Sequence, residues 1–425
     1  MASATVTAVG RASALAASVR AWRYAIPGSR DYRLDLIRGF LVLAMVVDHL
    51  GGASPITALT GGNTFLTSAA EGFILISGLL MGIVYGGRVK RFGLAAGARA
   101  AYARAGFLYV TFVALTLAFV ALYLFTGLPL WMDRAGGLGA RTPFEALVGT
   151  LTLHYGYHGT DIILIYVVLV AVSPIAFNLL ASGRWALLVG GSWLLWAVYQ
   201  LYPDAVFLPF PDTREPVFAL AAWQLLFFNG LTLGYHRDRL GAVTRALDRP
   251  LVTGALAVAT VGLIALAQVQ REGNLGSLGV PELTEETFAA LFAKPSLGIG
   301  RVLAFIAVAA LVRQIATFLW TPIERGLGWL LIPLGQKALF AYGFHLFLLG
   351  PFIGAFGVAI WVDPASPLLN ALIQAALVGI VWAAIRLRAD SWPSAALRRI
   401  RESRTTFAGR RLALAQAEVV RPRPK

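Results

Sequence analysis

Apolar windows of about 19 residues, the length that crosses a lipid bilayer, recur along most of the chain. They predict ten helical segments, at 34–50, 69–86, 104–126, 160–180, 185–201, 217–235, 250–268, 298–317, 336–356 and 368–386. Two shorter apolar pieces, 143–153 and 327–333, read as interfacial or re-entrant. Ten crossings return both termini to the same side. No internal repeat is visible, and no pair of Gly/Pro-broken helices in matching positions marks an inverted-repeat transporter. The expected architecture is all-α and polytopic.

Composition strengthens this reading. The chain has 425 residues, 58% hydrophobic and 13% charged, with a mean hydropathy of +0.71. A soluble protein carries about twice that share of charge. With the N-terminus in the cytosol, 30 Lys and Arg fall on inner segments and 5 on outer loops, with Arg301 just inside a span. This is a strong positive-inside signal and places both termini in the cytosol. The net charge of +15 therefore reflects orientation, not nucleic-acid binding, because the basic residues flank spans instead of forming one patch. The chain is therefore expected in a membrane, crossing it several times. Absence of cysteine excludes disulfides, thiolate metal sites and acyl transfer through a thiol. Residues 1–30 read as a flexible cytosolic leader, 31–388 as the transmembrane domain and 389–425 as a basic cytosolic tail on anionic headgroups.

Ionisable groups inside spans are costly and need an account. The stretch "DLIRGFLVLAMVVDHLGG" holds Arg38 near its inner end and His49 near its outer end, ~16 Å apart at about 1.5 Å per residue. Asp48 points about 100° away from His49 around the helix. Glu71, Asp161, Gln224 and Arg301 fall at a depth comparable to His49, with Trp223 beside Gln224. A neutral imidazole can take a proton from an alcohol, and a carboxylate on its other nitrogen fixes the tautomer. Glu71 or Asp161 is the expected orienting group. Arg38 suits a phosphate-bearing ligand from the cytosol, and Arg88, Lys90 and Arg91 lie on the same side, although topology signalling alone accounts for each of these singly. Gly72, Ser77, Gly78 and Gly82 recur along one helix, which permits close packing against a neighbour.

The Arg38-to-His49 spacing resembles the R-X10-H signature of the membrane acyltransferase-3 superfamily. The blocks "RDYRLDLIRGFLVLAMVVDHL", "AAEGFILISGLLMGIVYG", "YGYHGTDIILIYVVL" and "AAWQLLFFNGLTLG" resemble successive blocks of the OpgC-like family, associated with succinylation of osmoregulated periplasmic glucans. The resemblance runs over roughly 30–240 and more loosely to about 390. It implies a cytosolic acyl-CoA donor, succinyl-CoA or acetyl-CoA, and a glycan acceptor on the far side. His49 would be the essential histidine and Arg38 the conserved arginine, with Glu71, Asp161, Trp223 and Gln224 matching recurrent positions.

Other constellations carry less. His154 and His158 are four apart but stand in "LHYGYHG", where Gly156 and Gly159 argue for a loop, so no metal is expected. His345, in an apolar aromatic run, reads as a hydrogen-bonded core histidine. No Walker A, G-x-S-x-G or H-E-x-x-H motif is present. The resulting expectation is an integral membrane O-acyltransferase. In it, His49 is the general base, Glu71 or Asp161 orients it, and Arg38, Arg88 and Arg91 hold the donor's phosphates. Trp223, Gln224 and Arg301 contact substrate, with Arg301 meeting the free carboxylate of a succinyl donor. Its partners are membrane lipids and the glycan, and a homo-oligomer is left open. The alternative is a transporter or flippase for a sugar-containing or anionic substrate.

Overall fold

The computed structural model describes residues 21–25, 28, 30–61, 66–127, 142–206, 217–271, 284–356 and 366–389. The basic tail beyond 389, residues 1–20 of the expected leader and the acidic segment 272–283 lie outside the described residues. Ten helices dominate: α1 (Tyr32–Leu50), α2 (Ala69–Phe92, with a π turn at Met81–Tyr85), α3 (Leu94–Thr126), α4 (Asp161–Ala181), α5 (Trp185–Leu201), α6 (Leu220–Tyr235), α7 (Pro250–Arg271), α8 (Ile299–Phe318), α9 (Ala338–Phe356) and α10 (Pro367–Arg386). Each expected apolar segment falls on one of them, and no strand occurs among the described residues. Six of the ten, α2, α3, α4, α7, α8 and α10, are long and apolar enough to cross a membrane.

Local signals set the helix ends. Asp31 caps α1 by accepting from the Arg33 amide at 3.0 Å, as short polar side chains do at helix starts. Gly93, at φ +84°, separates α2 from α3 in a conformation that costs a side chain dearly. The shorter expected pieces are also helical: Pro143–Leu151 stands before α4, and Trp329–Gln336 follows a π turn at Glu324–Gly328.

The helix that carries Trp223 and Gln224 sits innermost. In α6 thirteen of its 16 residues are buried, whereas α7 exposes Leu251, Val258 and Val261. α7 thus presents apolar side chains outward, where lipid is a compatible solvent. α2 and α6 meet backbone to backbone. A β-carbon on Gly78 or Gly82 would strike the carbonyl oxygens of Phe227 and Leu231, and one on Gly230 or Gly234 would strike those of Leu75 and Leu79. This is small-xxx-small packing from both sides of one contact. The same device seats Trp329–Gln336 on α1, where Gly39 faces the Leu331 carbonyl and Gly335 that of Asp35.

The segment before α1 is tied as well. Within the expected leader, the Tyr24 amide donates to the Thr317 carbonyl at 2.8 Å. Arg23 pairs with Asp248 at 2.7 Å, and Tyr24 meets Trp320 edge-on at 4.8 Å.

Candidate active site

Eleven residues is about three helical turns, so Arg38 and His49 lie on one face of α1. His49 is the last but one residue of the helix. Beyond it Gly51 (φ +75°) and Gly52 (φ +83°) turn the chain away. That turn is held from α10. The Gln374 amide nitrogen is 2.7 Å from the Gly51 carbonyl, 3.2 Å from that of Gly52 and 2.9 Å from the Thr57 hydroxyl. Its oxygen accepts from Ser54 at 2.5 Å. Asn370, one turn earlier, donates to the Ala53 carbonyl at 3.0 Å. His49 thus stands near the end of a helix whose exit loop is tied to α10.

The side chain on His49 Nδ1 is His345 of α9, whose Nε2 is 2.9 Å away. The rings lie 5.2 Å apart, inclined by 30°. His345 is fully buried, and its Nδ1 faces the Ala341 carbonyl at 3.3 Å. This chain sets the protons. A carbonyl can only accept, so His345 carries its proton on Nδ1 and presents Nε2 as an acceptor; His49 then donates from Nδ1 and holds its basic lone pair on Nε2. His49 is only partly buried. Tyr342 lies edge-on to His345 at 5.2 Å, and its hydroxyl donates to the Gly159 carbonyl.

The expected carboxylates stand elsewhere in this network. Glu71 is fully buried. Its Oε2 accepts from the Ser68 amide at 2.9 Å and hydroxyl at 2.6 Å, and its Oε1 pairs with Arg301 Nε. Both of its oxygens are thus engaged. The Ser68-Ala-Ala-Glu71 spacing is a capping box, a signal present in the sequence. Asp161, buried at the start of α4, acts electrostatically on Tyr342. Asp48 accepts from the Thr60 hydroxyl at 2.7 Å.

Trp223 is fully buried and Gln224 nearly so. The Trp223 indole donates to the carbonyls of Lys294 at 3.2 Å and Pro295 at 3.0 Å. Gln224 accepts from the Ser192 hydroxyl at 2.7 Å and donates to the Ser192 and Ala221 carbonyls at 2.8 and 3.1 Å. Neither residue has a polar side-chain atom left over, and both fix the frame around the site. Sequence reasoning passed over Lys294, which lies in a turn before α8 and within electrostatic reach of His49, Glu71, Asp48 and Arg301.

In the N-terminal part of α1 Arg38 is half-buried. Its neighbours Arg30 and Arg33 are paired, with Asp35 at 2.7 Å and Asp31 at 2.6 Å. Among the described residues no hydrogen bond or ion pair reaches the Arg38 guanidinium, whose electrostatic neighbours include Tyr166, Asp35 and Arg104. The Tyr166 hydroxyl is buried, with Ser77 as its polar neighbour. Arg88 and Arg91 are exposed at the end of α2. His154 lies in a turn, its Nδ1 2.8 Å from the Thr152 carbonyl; no cluster of metal-ligating side chains occurs among the described residues.

A family model described as OpgC protein matches residues 30–391. The chain belongs to the OpgC family. The match covers α1 to α10 and therefore every residue of the site above. No curated protein and no solved structure gave a match. Membership, together with the apolar helices, makes this a membrane protein of a kind that modifies glucans.

Proposed function

We propose that this OpgC-family chain is an integral membrane O-acyltransferase of the acyltransferase-3 type, in the bacterial inner membrane with both termini cytosolic. It transfers a succinyl or acetyl group from cytosolic acyl-CoA to a hydroxyl of an extracytoplasmic glycan. The observation that carries the reading is the His49–His345 hydrogen bond of 2.9 Å. It leaves the basic nitrogen of a partly accessible imidazole three helical turns from an arginine on the same helix face.

In the proposed reaction the glycan hydroxyl oxygen attacks the thioester carbonyl carbon. Its proton passes to His49 Nε2, the carbon–sulfur bond breaks, and the CoA thiolate leaves and takes up that proton. An ester and free CoA result. His345 acts through His49 as a positioning residue: it fixes the tautomer and accepts the Nδ1 proton bond while the ring becomes cationic. Arg38, aided by Arg88 and Arg91, holds the donor's phosphates, for which a planar guanidinium with unspent donors is well suited. Glu71 anchors Arg301, and Asp161 with Tyr342 supports the wall around His345.

The test uses the purified full chain in lipid nanodiscs, with succinyl-CoA or acetyl-CoA and a short glucan oligosaccharide. Thiol release and the mass gained by the glucan are followed. H49A is expected to lower transfer by about 10²–10⁴-fold; full transfer by H49A overturns the reading.

A further inference from the structure

Lys294 is held by its backbone and left unspent at its charge. It opens the turn 294–297 before α8, and donors from two helices grip that turn. Trp223 Nε1 binds the carbonyls of Lys294 and Pro295 at 3.2 and 3.0 Å, and the Ala219 amide binds that of Pro295 at 3.1 Å. Gln200 binds the Ser296 carbonyl at 2.6 Å, and Trp196 binds that of Leu297 at 2.9 Å. Leu297, fully buried, sits at φ +52°, a left-handed conformation that a leucine holds only when its surroundings enforce it. So much fixation of a turn serves whatever the turn presents.

What it presents is an ammonium. Among the described residues no carboxylate comes within ion-pair distance of Lys294 and no acceptor takes its hydrogens; its contact is the ring face of Phe218 at 5.7 Å. Glu71 and Asp48 match Lys294 and Arg301 in total charge, yet Glu71 is spent on Ser68 and Arg301, and Asp48 accepts from Thr60. Arg301 is pinned through Nε and reaches the Phe292 carbonyl with Nη1 at 3.4 Å, so its Nη2 has no partner among the described residues. Two cations with donors to spare thus act on one another beside the site: Lys294 lies within electrostatic reach of His49 and of Arg301.

We infer that Lys294, with Arg301 beside it, is the receptor for a free carboxylate on the transferred acyl group, selecting dicarboxylic acyl-CoA donors over monocarboxylic ones. The inference rests on the acyltransferase reading and deepens it: Arg301 alone, already bound to Glu71, would be a poor carboxylate receptor, and Lys294 completes it. A pair of cations converging on one carboxylate also discriminates strongly, because a neutral acyl chain leaves their donors unpaired.

The experiment compares succinyl-CoA with butyryl-CoA, of equal chain length without the terminal carboxylate, on the wild-type chain, K294M and K294R in nanodiscs. Wild type is expected to favour succinyl-CoA in kcat/KM. K294M is expected to lose about 10²-fold of that preference, chiefly through KM for succinyl-CoA, while butyryl-CoA turnover stays measurable and changes far less; K294R keeps the preference. The butyryl-CoA rate shows that the variant is folded. An unchanged preference in K294M, or an equal fall with both donors that K294R does not relieve, overturns the assignment and leaves the acyltransferase reading standing. Absence of transfer by wild type from either donor overturns both.

Discussion

The two ends of α1 carry one residue of the site each, and they are furnished in opposite ways. At the C-terminal end, the outer end in the proposed orientation, His49 meets a settled network. His345 holds its Nδ1, Ala341 fixes His345, and Gln374 and Asn370 anchor the loop that follows. At the N-terminal end, the inner end in the proposed orientation, Arg38 stands half-buried with no hydrogen bond or ion pair among the described residues, although Asp31 and Asp35 lie on the same helix end and are taken by Arg33 and Arg30. Carboxylates were at hand; this arginine was left without one. A group that does chemistry must be held in one tautomer and place before the substrate arrives. A group that binds a multiply charged anion gains most when its donors are unspent beforehand.

The largest effect on this contrast should come from the outer end. H345L removes the acceptor on His49 Nδ1 while keeping bulk, and kcat is expected to fall by about 10² with little change in KM. H345Q places an amide oxygen near the lost nitrogen and should recover part of that loss. A role limited to core packing would give no such rescue, and the rank of the two variants decides between them. At the inner end, R38M should raise KM for acyl-CoA by roughly 10–50-fold, the size expected for losing charge-assisted hydrogen bonds, with a smaller change in kcat. Should R38M act on kcat instead, Arg38 belongs to the reaction centre and the contrast between the ends fails.

How far the sequence foretold this can be seen residue by residue. The ten apolar segments were legible because helix length and hydropathy are properties of a contiguous stretch. His49 and Arg38 were legible because a charge in an apolar run stands out and their spacing is local. The partner of His49 was not. His345 lies 296 positions away, and nothing local separates a core histidine from one that meets another histidine across helices; it is buried and hydrogen-bonded, as the sequence suggested, but its partner came only with the packing. Glu71 illustrates the reverse. Its capping box was visible in Ser68-Ala-Ala-Glu71, yet depth alone made it look like an orienting group. Asn370 and Gln374 had a signal too, two amides four residues apart on an apolar helix, and both face the loop that His49 begins.

A pH series sharpens the outer end further. Burial pushes the Lys294 ammonium below the ordinary lysine range, with Arg301 adding to the shift and Glu71 and Asp48 opposing it; His49 also faces this group. A lowered lysine gives up its proton earlier as pH rises, and only the protonated form binds a carboxylate. The succinyl-over-butyryl preference should therefore decline several-fold on the alkaline side in wild type and stay level in K294R, whose guanidinium remains charged. Parallel pH profiles for the two donors would remove Lys294 from the carboxylate site.

The smallest effect tests whether the outer end is rigid by construction. Gln374 has no contact with the imidazole among its hydrogen bonds; it ties Gly51, Gly52, Ser54 and Thr57 to α10. Q374L keeps the bulk and strands those groups, at about 1–2 kcal/mol of stability, less if the loop finds other partners, as polar groups in membrane helices often do. If His49 owes its position to this tie, kcat should fall a few-fold beyond what lost stability explains, with KM for the donor unchanged. A Q374L enzyme with wild-type kcat and a lowered melting temperature would show instead that the His345 bond alone places the ring, and that α10 serves the fold.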